Sequence, residues 1–193
     1  MPFPPEVEAA RARVFQLIGR NVLRFQRIEL VLKSLVAGSQ ISITAGEVPT
    51  AHERRIQATN KKSMGLVAGQ LFEEVLSNQP PADDDVPVSR EEAKAGNKAH
   101  IGFSWKIHIP MEEHLHWKTR LQKLIEERNE LIHTSLLRLN LETLEGCQQG
   151  LASLEEQATC VLAEIERLKP LHEGAVESKR ALLELLSDHG LTA

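Results

Sequence analysis

Arg128, Asn129 and His133 stand in the stretch ERNELIHTSLL (127–137), inside a run that otherwise has the spacing of an amphipathic helix. On a wheel of about 100° per residue, Leu121, Ile125, Ile132, Leu136 and Leu139 define an apolar stripe, and Arg128 falls near its centre. Asn129 and His133 are four residues apart and stack on one shoulder of that stripe. Burying an unpaired guanidinium is costly, so Arg128 must meet an anion, reach solvent or face a wet cleft. The chemistry that would use this set is phosphodiester cleavage. An imidazole can take a proton from a ribose 2′-hydroxyl or give one to a leaving oxygen. A guanidinium can hold the phosphate and stabilise its developing charge, and an amide can orient either group. No metal or cofactor is required. One helix supplies one histidine, whereas an acid and a base on opposite sides of a phosphate need two. A symmetric dimer would provide both.

The helix that carries these residues is predicted from about Met111, just after Pro110, to about Leu139. A long first helix is expected from about Glu6 to Val36, with Val14, Leu17, Ile18, Val22, Phe25, Ile28, Leu32 and Leu35 on its apolar face and Gly38 as its stop. A second helical region, about 50–76, carries Gly65 and Gly69, each worth about 1 kcal/mol against a helix interior. The segment SNQPPADDDVPVSREEAKAGNK is a loop, and its three aspartates read as solvated. In AHIGFSWKIHIP, Ile101, Phe103, Trp105, Ile107 and Ile109 alternate with polar or small residues, the pattern of a half-buried strand. Its partner could be 41–44, 86–88 or a second subunit. Leu144, Cys147, Leu151, Leu154, Ala158, Val161, Ile165 and Leu168 follow three-four spacing, suited to a bundle or coiled coil. Pro170 is expected to kink or restart that helix before a last piece, ESKRALLELLSDHG. The expected architecture is all-α: a bundle of four to five long helices with a small β insertion before the motif helix. It forms one domain over 1–193, with the loop and strand insertion at 78–110 and the long C-terminal helices at 143–188.

The bulk composition narrows the classes. The 193 residues are 41% hydrophobic and 26% charged, ordinary for a globular chain. Aromatic residues are only 4%, tyrosine is absent, and an all-β sandwich is disfavoured. The net charge of −4 gives no global basic field, so a nucleic-acid site would have to be local. Cys147 and Cys160, thirteen residues apart on one expected helix, would lie about 20 Å apart and cannot bridge. That fits a reducing compartment. The N-terminal MPFPPEVEAARAR lacks the apolar core of a signal peptide, and no stretch has the length of a membrane span. A cytoplasmic protein without membrane association is expected.

The run Arg128-Asn129-Glu130-Leu131-Ile132-His133 resembles the motif of the HEPN superfamily (higher eukaryotes and prokaryotes nucleotide-binding domains). That motif is an arginine, a polar residue that is often asparagine, and a histidine after four to six intervening residues. LQKLIEERNELIH looks like the helix that carries it, and FQRIELVLKSLV is similar in style to first helices of such domains. The specific match is confined to the motif helix; the helical architecture agrees over most of the chain. The resemblance implies a homodimeric, metal-independent endoribonuclease, commonly a toxin or phage-defence effector. Arg128 and His133 would be catalytic, Asn129 supporting, RNA the substrate, and an antitoxin or regulatory protein a possible partner. Some toxin members carry a tyrosine two residues after the histidine, where a partner nucleotidyltransferase modifies them. Here that position is Ser135, so the resemblance does not extend to that mode of neutralisation. Some members of the superfamily are not catalytic.

Other groups carry weaker signals. His108, His114 and His116 cluster with Glu112 and Glu113 where strand passes to helix, but histidines two apart on a helix face different ways, poor spacing for a zinc site. Arg54, Arg55, Lys61 and Lys62 could touch RNA backbone or form a solvated face. Cys147 sits on an apolar position and reads as core. There is no phosphate-binding glycine loop. The alternative to the enzyme is a non-catalytic helical dimerisation or partner-binding module. In it, Arg128 would form a structural ion pair with a glutamate of a neighbouring helix.

Overall fold

The structure, a computed structural model, describes residues 3–44, 48–79, 100–134 and 138–188. In chain order its elements are α1 (Pro5–Gly38), β1 (Gln40–Thr44), α2 (Val48–Asn60), α3 (Met64–Gln70), a π-helical turn (Leu71–Val75), β2 (Leu76–Ser77), β3 (His100–Ser104), β4 (Ile107–His108), α4 (Met111–His133) and α5 (Leu144–Asp188). The chain is all-α in class with a small β component, as the spacing predicts. The acidic loop, the 86–88 segment, Ser135 and Leu136 lie outside the described residues.

The chain divides into two compact units. The first holds α1 up to Glu29, α4 from Arg120, and α5 up to Leu168. Its three helical segments close over Val14, Phe25, Leu121, Cys147, Val161 and Leu168, each with little or no exposure. Truncating one such leucine or phenylalanine to alanine costs about 2–5 kcal/mol. Relative directions follow from the side-chain links. Arg120 meets Glu164 and Gln157 meets Glu127, so α4 and α5 are antiparallel. Asn21 meets Leu154, so α1 runs alongside α5 in the same sense as Val14 approaches Gly150. The α1 stripe differs from expectation. Leu17, Ile18 and Val22 are only half-buried, and Asn21 is fully buried between Val14 and Phe25.

The turn after α4 folds back on the first turn of α5. Cys147 N donates to Thr143 O at 3.0 Å, and Gly146 N to Thr143 Oγ1 at 3.1 Å, a side-chain cap at the helix start. A Cβ at Gly146 would collide with the Asn140 carbonyl oxygen, a backbone atom that cannot swing away. Gly146→Ala is therefore expected to destabilise the fold by about 1–3 kcal/mol, read by urea denaturation. A variant as stable as wild type would mean that this turn does not dock as described.

The second unit holds Leu30–Thr119 and Lys169–Ala193, within the described residues. Leu32, Leu35, Met64, Val67, Leu71 and Val75 form its core. β1 and β3 pair antiparallel, Gln40 opposite Ser104 through Thr44 opposite His100, so 41–44 is the partner of the alternating segment. That segment breaks after Ser104, and β4 then pairs parallel with β2. Over the rest, Trp105, Ile107 and Ile109 are half-buried and Lys106 and His108 exposed, so the alternation persists through the break. Trp105 closes the end of α1. Its Nε1 donates to Gly38 O and its backbone N to Ser39 O, both at 3.0 Å. Arg55 Nη2 donates to Val36 O at 2.9 Å, occupying another carbonyl that the helix leaves unpaired.

Three helix boundaries depart from the expected ones, the first being the end of α4 at His133 rather than near Leu139. The 50–76 region divides at 61–63, not at a glycine, because Ser63 is the N-cap residue of α3 while Met64, Val67, Ala68 and Leu71 bury its inner face. Gly65 and Gly69 stay helical, since burial outweighs their weak propensity. α5 does not restart at Pro170: its helical assignment runs unbroken through the proline to Asp188, without the hydrogen bond that proline cannot donate. Among the described residues, no helix is long and apolar enough to cross a membrane.

Candidate functional site

α4 forms as an amphipathic helix whose buried positions are Trp117, Leu121, Leu124, Ile125 and Leu131. The stripe thus lies slightly to one side of the expected one: Ile132 is 43% exposed, and Leu124 and Leu131 take the buried places. Arg128 is in phase with the buried set, so its Cα faces the helices of the first unit. It avoids an unpaired buried charge in two ways. Its side chain stays 27% exposed, and its Nη2 lies 3.8 Å from Glu29 Oε2 on α1, whose side chain is 18% exposed. At that distance the contact is an ion pair without a hydrogen bond.

Arg128 Nη1 donates to Asn129 Oδ1 at 3.0 Å. Asn129 is exposed and lies about 100° round the helix from Arg128. The guanidinium therefore swings from the buried stripe towards the shoulder that Asn129 and His133 share. His133, also exposed, is the last residue of α4, one turn beyond Asn129. Five N–H donors are available on an arginine, and among the described residues one is engaged in a hydrogen bond here. The result is a rim on which a tethered cation, an amide and an imidazole face outwards beside an exposed isoleucine. A rim of that kind can grip an oxyanion and exchange a proton with it.

The sequence did not single out the groups that hold this turn in place. Asn21, fully buried, donates Nδ2 to Leu154 O at 2.9 Å and to Gln157 Oε1 at 3.0 Å, and accepts from Arg24 Nη1 at 2.8 Å. Gln157 Nε2 in turn donates to Glu127 O at 3.5 Å. A polar chain thus links α1, α5 and the residue just before Arg128. Glu164, 1% exposed, is held between Arg120 at 3.7 Å and Arg167 at 3.1 Å. Glu29 had a visible signal: it follows Ile28 and stands four after Phe25, an acid on the shoulder of an apolar stripe, as Arg128 is a base within one.

No family model matches the chain, and no curated protein or solved structure matches it at a significant level.

The remaining sequence candidates have other surroundings. A cleft of about 320 Å3 lies between α4 and α5, lined by Lys123, Glu127, Glu130, Arg138 and Cys160 among others, on the side of α4 away from Asn129 and His133. His114 meets Phe72 edge-on, with ring centroids 5.1 Å apart. Among the described residues, no three His, Cys, Asp or Glu side chains gather where they could hold a metal ion. Arg55 does not belong to a solvated basic face: it pairs with Glu74 at 2.9 Å and caps α1. Lys62 donates to Gln70 Oε1 at 2.7 Å, whereas Arg54 and Lys61 are exposed. Cys147 is buried and Cys160 exposed, both as free thiols.

Proposed function

We propose that the chain is a metal-independent endoribonuclease of the HEPN kind, acting as a homodimer in which two copies of Arg128, Asn129 and His133 line one cleft. Its cellular role would be that of a toxin or phage-defence effector. The observation that carries this reading is the pose of Arg128: tethered to Glu29, turned onto Asn129, and presented on the same shoulder as an exposed histidine. In one protomer only one imidazole is available. Ile132, exposed beside His133, gives a second copy an apolar contact at that point. In the reaction, one His133 takes the proton of a ribose 2′-hydroxyl as that oxygen attacks the adjacent phosphorus. The His133 of the second copy gives a proton to the leaving 5′-oxygen, and a 2′,3′-cyclic phosphate remains. Arg128 balances the charge that builds on the non-bridging oxygens.

The test is cleavage of total RNA by the purified chain with a chelator present. Wild type should cut, and Arg128→Lys should lose about 10²–10³-fold in rate while folding normally, because a point charge keeps the Glu29 contact but not the fork that spans an oxyanion. Equal cleavage by the two proteins would remove Arg128 from the reaction.

A second reading is favoured by the Glu29 contact itself. If Arg128 serves only to pair with Glu29, the chain is a non-catalytic helical module that dimerises or binds a partner through its exposed apolar residues. Arg128→Ala would then lower the melting temperature, since Glu29 is left without that cation, and wild type would cut no RNA.

A further inference from the structure

Within the second unit, the C-terminal part of α1, α2 and the C-terminal part of α5 line a cavity of about 240 Å3 that is half open to solvent. Its polar lining is basic: Lys33 and Ser34 from α1, His52 from α2 and Lys179 from α5, with no Asp or Glu among the lining residues. Ile56 and Val176 supply apolar wall.

Lys179 is half-buried, and its Nζ lies 3.1 Å from His52 Nε2. An ammonium can only donate, so His52 Nε2 must accept, and the ring proton sits on Nδ1. Burial, then Lys179 and then Arg55, with Glu53 opposing, hold His52 below the usual imidazole value. The ring therefore stays neutral beside the lysine. Two needs are left unmet. Among the described residues, no carboxylate lies within ion-pair distance of Lys179. His52 Nδ1 is buried with no hydrogen-bond partner. Lys33, tethered to Asn60 O at 2.9 Å, adds its charge to the same cavity. Ser34 Oγ, 3.2 Å from His172 Nε2, adds a hydroxyl. Arg55 adds little to this imbalance, because Glu74 neutralises it at 2.9 Å. A half-buried ammonium without a counter-charge is a cost that a bound anion would remove.

We propose that this cavity binds a phosphate group, as the free ion or at the end of a small phosphate monoester, with Lys179 and Lys33 supplying charge and Ser34 a hydroxyl. Several acceptor oxygens on one compact dianion match two ammonium groups and a hydroxyl better than a single carboxylate does. The site shares no residue with Arg128, Asn129 and His133, so its test stands or falls apart from the ribonuclease reading.

The experiment is calorimetric titration of the full chain at neutral pH with sodium phosphate, beside sodium chloride at matched ionic strength. Saturable binding of phosphate alone is expected, at least tenfold weaker in Lys179→Ala. Lys179→Met, which keeps the packing of the side-chain stem, guards against loss of fold and should weaken binding similarly. No saturable phosphate binding by wild type, an equal response to chloride, or wild-type affinity in a folded Lys179 variant would each overturn the proposal. Ribose 5-phosphate separates the two sources. Tighter binding than phosphate identifies a monoester resting on Ile56 and Val176, and equal or weaker binding identifies the free ion.

Discussion

Replacement of His133 by alanine is expected to abolish metal-independent RNA cleavage, with a rate loss of about 10²–10⁴-fold, the usual contribution of a positioned general acid or base. The loss could reach the upper end, because in a symmetric dimer one substitution removes both the acid and the base. Stability should barely change. His133 is exposed at the last residue of α4, and an exposed substitution that leaves no buried group unpaired shifts folding by about 0.5 kcal/mol. For a chain of this size that is about 1–2 °C in melting temperature. The two measurements together separate the readings: total RNA incubated with chelator, and a melting curve, for wild type and His133→Ala. Cleavage lost with the melting curve preserved assigns the imidazole to the reaction. Cleavage retained in the variant would sink the assignment, and a large fall in melting temperature would make His133 structural. Co-expression gives an independent check, since a toxic ribonuclease should slow growth and the variant should relieve it.

How far the sequence could lead is clearest on α4. Its period placed Arg128 at the centre of the buried face, and the structure puts it there, because the angular position of a residue on a helix depends only on local geometry. What meets Arg128 is a tertiary matter. Glu29 lies ninety-nine positions earlier, and no period relates the two. The small error at Ile132 has the same origin: near the end of a helix, burial depends on how far the neighbouring helices extend, not on phase. Strand alternation over 105–109 was equally local and equally legible, whereas the pairing of 100–104 with 40–44 was not. Pro170 shows the limit of propensity, since one missing hydrogen bond does not stop a helix whose flanking residues Leu168 and Leu171 are buried or half-buried. The buried amide of Asn21 and the pair His52–Lys179 gave no readable signal. A polar residue on an apolar face, or a histidine on a polar one, acquires meaning only from what stands across from it.

Asn21→Leu is expected to destabilise the fold by about 2–3 kcal/mol, although leucine fills nearly the same space and is the better core residue by hydrophobicity. The reason is what the amide leaves behind. Gln157 Oε1 loses its donor at 3.0 Å in a half-buried site, and Arg24 loses an acceptor at 2.8 Å, though Arg24 can turn to solvent and so adds little. Leu154 O keeps its partner within α5, so the third bond costs least. In a chain of 193 residues this is about 5–10 °C in melting temperature. Gln157→Leu alone should cost less, about 1 kcal/mol, because its bond to Glu127 O is long. The double variant should recover part of the sum, since an apolar pair leaves no orphaned group, and a coupling of at least about 0.5 kcal/mol is expected between neighbours that share a network. Urea denaturation of the four proteins measures it. Strict additivity, or an Asn21→Leu chain as stable as wild type, would show that the amide does not fix how α1 lies along α5. The far end of this network bears on activity: Gln157 holds the carbonyl of Glu127, the residue before Arg128. RNA cleavage by Gln157→Leu should then fall below wild type at a temperature where both remain folded, whereas a purely stabilising network would leave the rate per folded molecule unchanged.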